Sequence, residues 1–491
     1  MEKIDIDISK FLQDFFGFKK FKGNQKQAIE SIMDGNDTFV IMPTGGGKSL
    51  CYQLPAIMMD GVAVIISPLI ALMKNQVDSV RSYSKNYDIA HFYNSSLNKV
   101  EIEKVKDAVE NGKTKLLFVA PETIAKEKNL FFFKSFKISF FAVDEAHCIS
   151  EWGHDFRPDY SRIAEFRGLI GNPLTIVLTA TATLNVQKDI VNKLGLQKSE
   201  IKIFHEGINR PNLRLEAVDV FDEKATFQAI TNVLDNYKGS GIIYFSLIKK
   251  LEYYSQKLRD KGYRHGIYHG KLDSQRRKQI QRDFLSGKQD VILATNAFGM
   301  GIDKADIRFV IHAEVPSSIE SYYQEIGRAG RDGKDSLCML LYNQDDLYTQ
   351  MEFIKWANPD ANYYSRMYDL LKNNMEAANS IGFDYLREEM SFKDKSDFRV
   401  KTVLSMLDRY GVTEGDIENK NLKIINELPH ELQSEELLKE KLLNDNKKLL
   451  SVVNYYKTEN CRRIYISNYF GFYDEKKCGN CDICDLIEDD E

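Results

Sequence analysis

Residues in three stretches of this chain have the types and spacing to do chemistry. Pro43-Thr44-Gly45-Gly46-Gly47-Lys48-Ser49 follows the apolar run Phe39 to Met42 and opens a helical pattern. Glycines at such a turn let backbone N–H groups wrap phosphate oxygens with no Cβ in the way, and the helix start adds partial positive charge. Lys48 suits the β- and γ-phosphates of a nucleoside triphosphate such as ATP, and the Ser49 hydroxyl suits Mg²⁺. Met42 stands where the commonest phosphate-loop pattern has glycine, so the match rests on the Gly-Lys-Ser end. An incidental glycine-rich turn is the bland alternative, and the strand before and helix after speak against it.

The second stretch, Phe140-Phe141-Ala142-Val143-Asp144-Glu145-Ala146-His147, is an apolar strand ending in two acids. At a strand end beside a phosphate loop, Asp144 can hold Mg²⁺ through water and Glu145 can orient and deprotonate an attacking water. Alone, such a pair would be solvated surface; with the glycine loop it makes a nucleotide hydrolysis site. The third stretch, Gln324-Glu325-Ile326-Gly327-Arg328-Ala329-Gly330-Arg331, places two guanidinium groups on one face of an expected helix end. Arginines so placed stabilise charge on a transferring phosphoryl group. In isolation they read as a solvated basic end; they become functional where one domain completes the site of another.

The seven cysteines divide in two. Cys51, Cys148 and Cys338 are scattered in apolar or motif contexts and read as reduced buried thiols. Cys461, Cys478, Cys481 and Cys484 crowd towards the C-terminus as C-x16-C-x2-C-x2-C, a spacing that favours metal thiolates over disulfides. Four thiolates suit tetrahedral Zn²⁺ in a structural site with no open position. An iron–sulfur cluster is the chemical rival.

Elements must hold these residues in place. Phe39 to Met42, Val62 to Ser67, Leu116 to Ala120, Phe140 to Asp144 and Thr175 to Thr179 read as buried strands, with amphipathic stretches such as Val100 to Asn111 between them. After Asn209-Arg210-Pro211 a second series follows: Ile242 to Phe245, Gly266 to His269, Val291 to Thr295, Phe309 to His312 and Leu337 to Tyr342. Helical patterns at Leu247 to Asp260, Ser274 to Leu285 and Ser317 to Arg328 separate these strands. The alternation predicts two open α/β domains with parallel sheets, helices on both faces and a cleft between.

Beyond Asn343 charged helical patterns dominate. Val400, Val403, Leu404 and Leu407 make one apolar helical face closed by Gly411, and a hairpin-like stretch Ile417 to Ile425 turns at Asn419-Lys420-Asn421. A helix followed by a small wing is a winged-helix outline; an ordinary helical spacer is the other reading. From Glu435 to Tyr469 the pattern is helical again and delivers Cys461 to the later cysteines. The expected division is 1–208, 209–345, 346–432 and 433–491.

A chain of 491 residues with 43% hydrophobic and 28% charged residues has globular proportions and length for several domains. The net charge of −5 excludes an all-over basic surface, but not a nucleic-acid groove. No apolar run approaches the roughly 18 residues of a membrane helix, and the acidic start Met1-Glu2-Lys3-Ile4-Asp5 is unlike a secretory leader. The expectation is a cytoplasmic, nucleoid-associated protein with no membrane partner.

In order and spacing, the blocks together resemble superfamily-two helicases, and specifically the RecQ family of DNA helicases. Phe16-Gly17-Phe18 through Gln25 is similar to the family's adenine-recognition segment, and Ser67 to Met73, Val119 to Glu122 and Thr179 to Thr183 to motifs Ia, Ib and III. Asp144 to His147 looks like the DEAH box, Ala294 through Asp303 like motif V, and Gln324 to Arg331 like motif VI. Ala146 to Pro158 resembles the RecQ aromatic-rich loop, where Trp152 and Phe156 would stack on bases and Arg157 would contact phosphate or stack. A core anchor is the other reading of Trp152. Cys461-Arg462-Arg463 with Tyr469-Phe470-Gly471 and Cys478 to Cys484 resembles the RecQ zinc module, which favours zinc over iron–sulfur.

The resemblance covers residues 11–345 and 449–484. It implies two tandem RecA-like parallel-sheet domains, a mainly helical segment and a C-terminal zinc-binding module, with ATP, Mg²⁺ and Zn²⁺ as cofactors. Lys48, Asp144, Glu145, His147, Gln324, Arg328 and Arg331 would be catalytic. Phe18, Lys22, Gln25, Thr44, Gly45, Gly46, Gly47, Ser49 and Asp303 would bind the nucleotide, with Ser49 and Asp144 holding Mg²⁺. The implied activity is ATP-driven 3′ to 5′ movement on single-stranded DNA and unwinding of partly duplex DNA, in repair and recombination, by a monomer that meets single-strand-binding and repair proteins. An RNA helicase is the rival within the superfamily. Lys22 and Asn24 stand where many members have Arg and Gly, and the expectation is a short form of the family without the winged-helix domain after zinc and the terminal helical module. Any strand-separating wing would then lie elsewhere, with 400–425 as the candidate, or be dispensed with.

Overall fold

The computed structural model of the protein describes residues 7–43, 45–68, 70–124, 129–150, 160, 162–197, 199–207, 209–299, 302, 304–391, 398–473 and 476–488. Its first lobe is built on strands β1 (Thr38–Ile41), β2 (Val62–Ile66), β3 (Ala90–Tyr93), β4 (Leu116–Val119), β5 (Ile138–Val143), β6 (Thr175–Thr179) and β7 (Lys202–His205). They form one sheet in the order β3-β4-β2-β5-β6-β1-β7, every pair parallel. Successive residues of a strand feed opposite faces: Phe39 and Ile41 enter one core, Val40 and Met42 the other. Helices cover both faces, so β1 and β2 show no polar side and read as unbroken apolar runs.

The second lobe repeats the plan with β8 (Leu213–Asp219), β9 (Ser240–Tyr244), β10 (Gly266–Tyr268), β11 (Val291–Ala294), β12 (Ile307–His312) and β13 (Ser336–Tyr342), in the parallel order β10-β11-β9-β12-β13-β8. Strands β3, β7 and β8 were not expected from the sequence, and all three lie at sheet edges. β7 carries Lys202 and His205 at an open edge, and in β8 Arg214 pairs with Glu216 and with Asp485 of the segment that covers it, so charged residues interrupt both apolar signals.

Two further corrections have backbone causes. The helix expected from Ser317 to Arg328 runs only Ile319–Ile326; Gly327 caps it and Gly330 turns at φ +55°, so Arg328 and Arg331 lie in the following turn and not on a helix face. The helical stretch expected from Glu435 to Tyr469 is two helices, Glu435–Lys457 and Arg462–Tyr469.

Helix Asp346–Ala357 packs on Glu435–Lys457 beside the second lobe. Between them, helices Ala361–Ile381, Phe383–Ser391 and Arg399–Arg409 and a hairpin enclose a separate core of Tyr364, Met367, Leu371, Leu386, Val403 and Leu407. The hairpin strands are β14 (Thr413–Glu414) and β15 (Lys423–Ile424), so the first begins before the expected Ile417, two residues after Gly411 at φ +67°. Three helices and then a hairpin follow the winged-helix order. Among the described residues no helix is long and apolar enough to cross a membrane.

The cysteine-rich segment lies along β8, the edge of the second sheet. Leu215 pairs with Cys481 in a parallel bridge, and Leu215 N donates to Asn480 O at 3.4 Å. Ala217 N donates to Asp482 Oδ2 at 3.0 Å, and Arg463 Nη2 donates to Leu213 O at 2.9 Å.

Candidate active site and metal centre

Strand β1 ends at the phosphate loop, where Gly45 and Gly47 both hold φ +83°, a region costly for residues with a Cβ. Ser49 starts the helix Leu50–Met58 without capping it by its side chain. The Lys48 ammonium donates to Met42 O at 3.4 Å and so reaches back across the loop. Gln25 pins the loop from outside: its Nε2 donates to Gly46 O and Gly47 O, each at 3.1 Å, while its Oε1 accepts from Lys22 N at 2.8 Å.

Strand β5 delivers the acids. Asp144 is buried, and its Oδ1 accepts from Glu145 N at 2.9 Å. Burial and the adjacent Glu145 carboxylate push Asp144 up to about 7, with Lys48 pulling the other way. Glu145 adopts the left-handed conformation (φ 49°), which breaks the strand direction and turns its side chain into the cleft. His147 is buried behind it, with Nδ1 3.1 Å from Thr179 Oγ1 and 3.4 Å from Glu145 Oε2.

From the second lobe, Arg328 is buried and donates to Gly299 O, while its Nε finds no hydrogen-bond partner among the described residues. Arg331 donates through Nη1 to Ile302 O at 3.2 Å. One cavity of about 450 Å³ separates the lobes. Lys22, Gly45, Gly47, Lys48, Ser49, Asp144 and Glu145 line one side of it, and Gln324, Arg328 and Arg331 the other. Loop amides, two ammonium groups, two guanidinium groups and two carboxylates thus face one volume, a donor set that fits a polyphosphate with a divalent cation.

Phe18 is not among the lining residues; it is 45% exposed, stacked on Phe16 at 6.2 Å. Thr44, Asp303, Trp152, Phe156 and Arg157 lie outside the described residues. Sequence reasoning missed the wall formed by Leu72, Asn75, Gln76 and Ser79. They share one face of the helix Ile70–Ser82, and a polar stripe at helical spacing was the signal that could have found them.

The four sulfur atoms of Cys461, Cys478, Cys481 and Cys484 all lie within 4.8 Å of one another. The pairs Cys478–Cys484 and Cys461–Cys481 are separated by 3.8 and 4.0 Å. Sulfurs at Zn–S distance on a tetrahedron stand about 3.8 Å apart, so the cluster fits zinc and not a disulfide. Arg462 supports it, donating from Nε and Nη2 to Asp482 at 2.9 and 3.0 Å and from Nη1 to the carbonyls of Tyr455 and Tyr456.

Comparison with known proteins agrees with this layout. Residues 22–190 match the DEAD/DEAH box helicase family, 225–333 the helicase conserved C-terminal domain and 420–485 the RecQ zinc-binding family. The chain is 41% identical over 75% of its length to the probable ATP-dependent DNA helicase RecS of Bacillus subtilis, covering 73% of that protein. It is 34% identical over 96% of its length to ATP-dependent DNA helicase RecQ of Pasteurella multocida, but spans only 61% of it. The structure of Mycobacterium smegmatis helicase Lhr bound to ssDNA and AMP-PNP superposes with a TM-score of 0.55 at 19% identity, over 85% of this chain and 60% of that one, a likeness of fold alone.

Proposed function

The chain belongs to the RecQ family of ATP-dependent DNA helicases, and on that premise we propose that it hydrolyses ATP in the cleft between its lobes to move along and unwind DNA. The single observation carrying this reading is the cavity shared by Lys48, Ser49, Asp144 and Glu145 from one lobe and Gln324, Arg328 and Arg331 from the other. Bound Mg²⁺·ATP supplies the phosphoanhydride to be broken. Gly45, Gly46, Gly47 and Lys48 cradle its phosphates, Lys22 and Gln25 hold the adenine side, and Ser49 and Asp144 position the cation. Glu145 takes the proton of the attacking water, with His147 linking it to Thr179 and motif III. Arg331, beside Arg328, offsets the charge that grows on the terminal phosphoryl oxygens.

Closure brings the arginines to the phosphates and hydrolysis releases them, so the lobes alternate their grip on a strand. The substrate is single-stranded and partly duplex DNA, traversed 3′ to 5′, with repair and recombination as the setting and a nucleoid-associated monomer as the form. Trp152, Phe156, Arg157 and Asp303 belong to this machinery by family resemblance. The zinc held by the four cysteines is structural. The chain divides at residues 208, 345 and 432, and segment 346–432 supplies the strand-separating wing.

The test is unwinding of 3′-tailed and 5′-tailed duplexes with ATP, alongside ATPase assays with single-stranded DNA or RNA. Lys48→Ala should abolish hydrolysis and unwinding while leaving DNA binding measurable. Near-normal turnover in that variant, or stimulation by RNA alone, overturns the reading.

A further inference from the structure

The turn after helix Arg462–Tyr469 touches more than the sheet it covers. Gly471 holds φ +83°, and a Cβ there would stand 2.8 Å from Leu184 Cγ in the first lobe. The next residue, Phe472, meets the His205 ring edge-on, with centroids 5.4 Å apart and planes at 77°. Phe472 packs against the second-lobe core and against one first-lobe core as well, so one side chain of the cysteine module bridges both halves of the motor.

Both first-lobe contacts lie one step from the nucleotide cleft. His205 ends β7, and its carbonyl accepts from Asn24 Nδ2 at 2.7 Å. Asn24 closes the turn carrying Lys22, which lines the cleft, and precedes Gln25, which pins the phosphate loop. Glu206 N donates to Ile41 O at 3.0 Å, where β1 runs into that loop, and the Glu206 carboxylate fills the space beside Gly23 and Gly46. Leu184 directly follows Thr183, which caps its helix and closes the Thr179–Thr183 segment that holds His147. A shift of the Gly471–Phe472 turn therefore acts on the two segments that frame the adenine side and the acidic Asp144–Glu145 pair.

We propose that Phe472 is a positioning residue for nucleotide binding: through His205 it holds the Lys22–Asn24 turn against the phosphate loop, so the affinity of the cleft for adenine nucleotides depends on the docked cysteine module. The inference rests on the nucleotide-cleft reading given above. Aromatic edge contacts and apolar packing carry the coupling, and they are lost when the ring is removed. No ligand of the metal is altered, so the effect is separable from loss of zinc.

The experiment compares wild type, Phe472→Ala, Phe472→Leu and His205→Ala as full-length zinc-loaded protein. The readouts are zinc content, the Kd for a fluorescent ADP analogue, and kcat and KM for DNA-stimulated ATP hydrolysis. Phe472→Ala should weaken ADP binding and raise KM about five- to tenfold, the low end of measured coupling between sites, with kcat within about twofold of wild type. Phe472→Leu, which keeps the apolar bulk, should recover most of the affinity. His205→Ala, outside the cysteine module, should reproduce the loss with zinc fully retained. Unchanged ADP affinity in Phe472→Ala and His205→Ala overturns the proposal, and so does a fall in kcat with KM unmoved. Wild-type protein that binds ADP but shows no DNA-stimulated hydrolysis would defeat the helicase reading, while the ADP comparison would still decide the role of Phe472.

Discussion

Arg331 of the second lobe lies against Gly45 of the first: a Cβ on Gly45 would stand 3.2 Å from Arg331 Cγ and 3.6 Å from its Nε. The glycine thus serves twice. It takes the φ of +83° that the loop requires, and it leaves the space through which the opposite lobe's guanidinium stem passes.

Gly45→Ala should therefore abolish most hydrolysis without unfolding the protein. The left-handed conformation costs a residue with a Cβ about 1–2 kcal/mol, and the new methyl presses on Arg331. ATPase activity measured beside a thermal melt tests this; a variant with wild-type turnover contradicts the contact.

Arg331→Ala removes the guanidinium and leaves the loop as it is. If Arg331 acts on the transferring phosphoryl group, kcat should fall by about a thousandfold or more, the range for arginine fingers. ADP affinity should change little, since ADP lacks that group. An equal loss in both would make Arg331 a ground-state binding residue.

Much of this was legible in the sequence, for physical reasons. Phe39 to Met42 and Phe140 to Val143 are covered on both faces, so their apolar runs could only be interior strands, and the loop and acids at their ends follow. Three of the four edge strands were illegible, β7 among them because it carries Lys202 and His205 where one side meets water, while the edge strand β10 is legible as Gly266 to His269. The bend that frees Arg328 and Arg331 from helix Ile319–Ile326 depends on Gly327 and Gly330, which the surrounding helical periodicity concealed. The contact of Phe472 with His205 joins residues far apart in the chain, and no local pattern encodes it.

Cys481→Ser takes away one of four ligands and disturbs the bridge to Leu215. Structural zinc contributes on the order of 10 kcal/mol in small modules, so zinc content and protection of the Leu215 amide from hydrogen exchange should fall together. Retained zinc with full protection would show that three cysteines suffice.

Asp482→Ala leaves the buried Arg462 guanidinium without its carboxylate and Ala217 N without its acceptor. Breaking a buried ion pair from one side costs about 3–5 kcal/mol, so the denaturation midpoint should drop sharply. Arg462→Met, which removes the charge itself, should cost less. The reverse ranking would show that packing around Arg462 matters more than its pairing.

Stability should carry a signature of His265, whose Nε2 lies 2.7 Å from Ser255 Oγ and whose Nδ1 lies 3.1 Å from Tyr263 O. Burial, with the nearby Arg259 charge, holds this imidazole below its ordinary value of 6.5 although the Tyr263 carbonyl opposes the shift. A depressed folded-state value means the stabilisation is fully present above 6.5 and is lost as pH falls through the lowered value. Denaturant melts of wild type and His265→Gln should therefore differ most near pH 7.5 and converge towards pH 5. A gap that widens on acidification contradicts the sign.

The cover over β8 also sets an order of events during translation. Arg463 bonds the carbonyl of Leu213 across a separation of 250 residues. At roughly 5–20 residues per second, that strand leaves the ribosome on the order of ten to fifty seconds before the segment that shields it. For that interval its outer row of N–H and C=O groups stands open to pairing with a neighbouring nascent chain. Slow synthesis or scarce zinc should thus reveal itself first as co-translational aggregation, before any loss of activity in the molecules that mature.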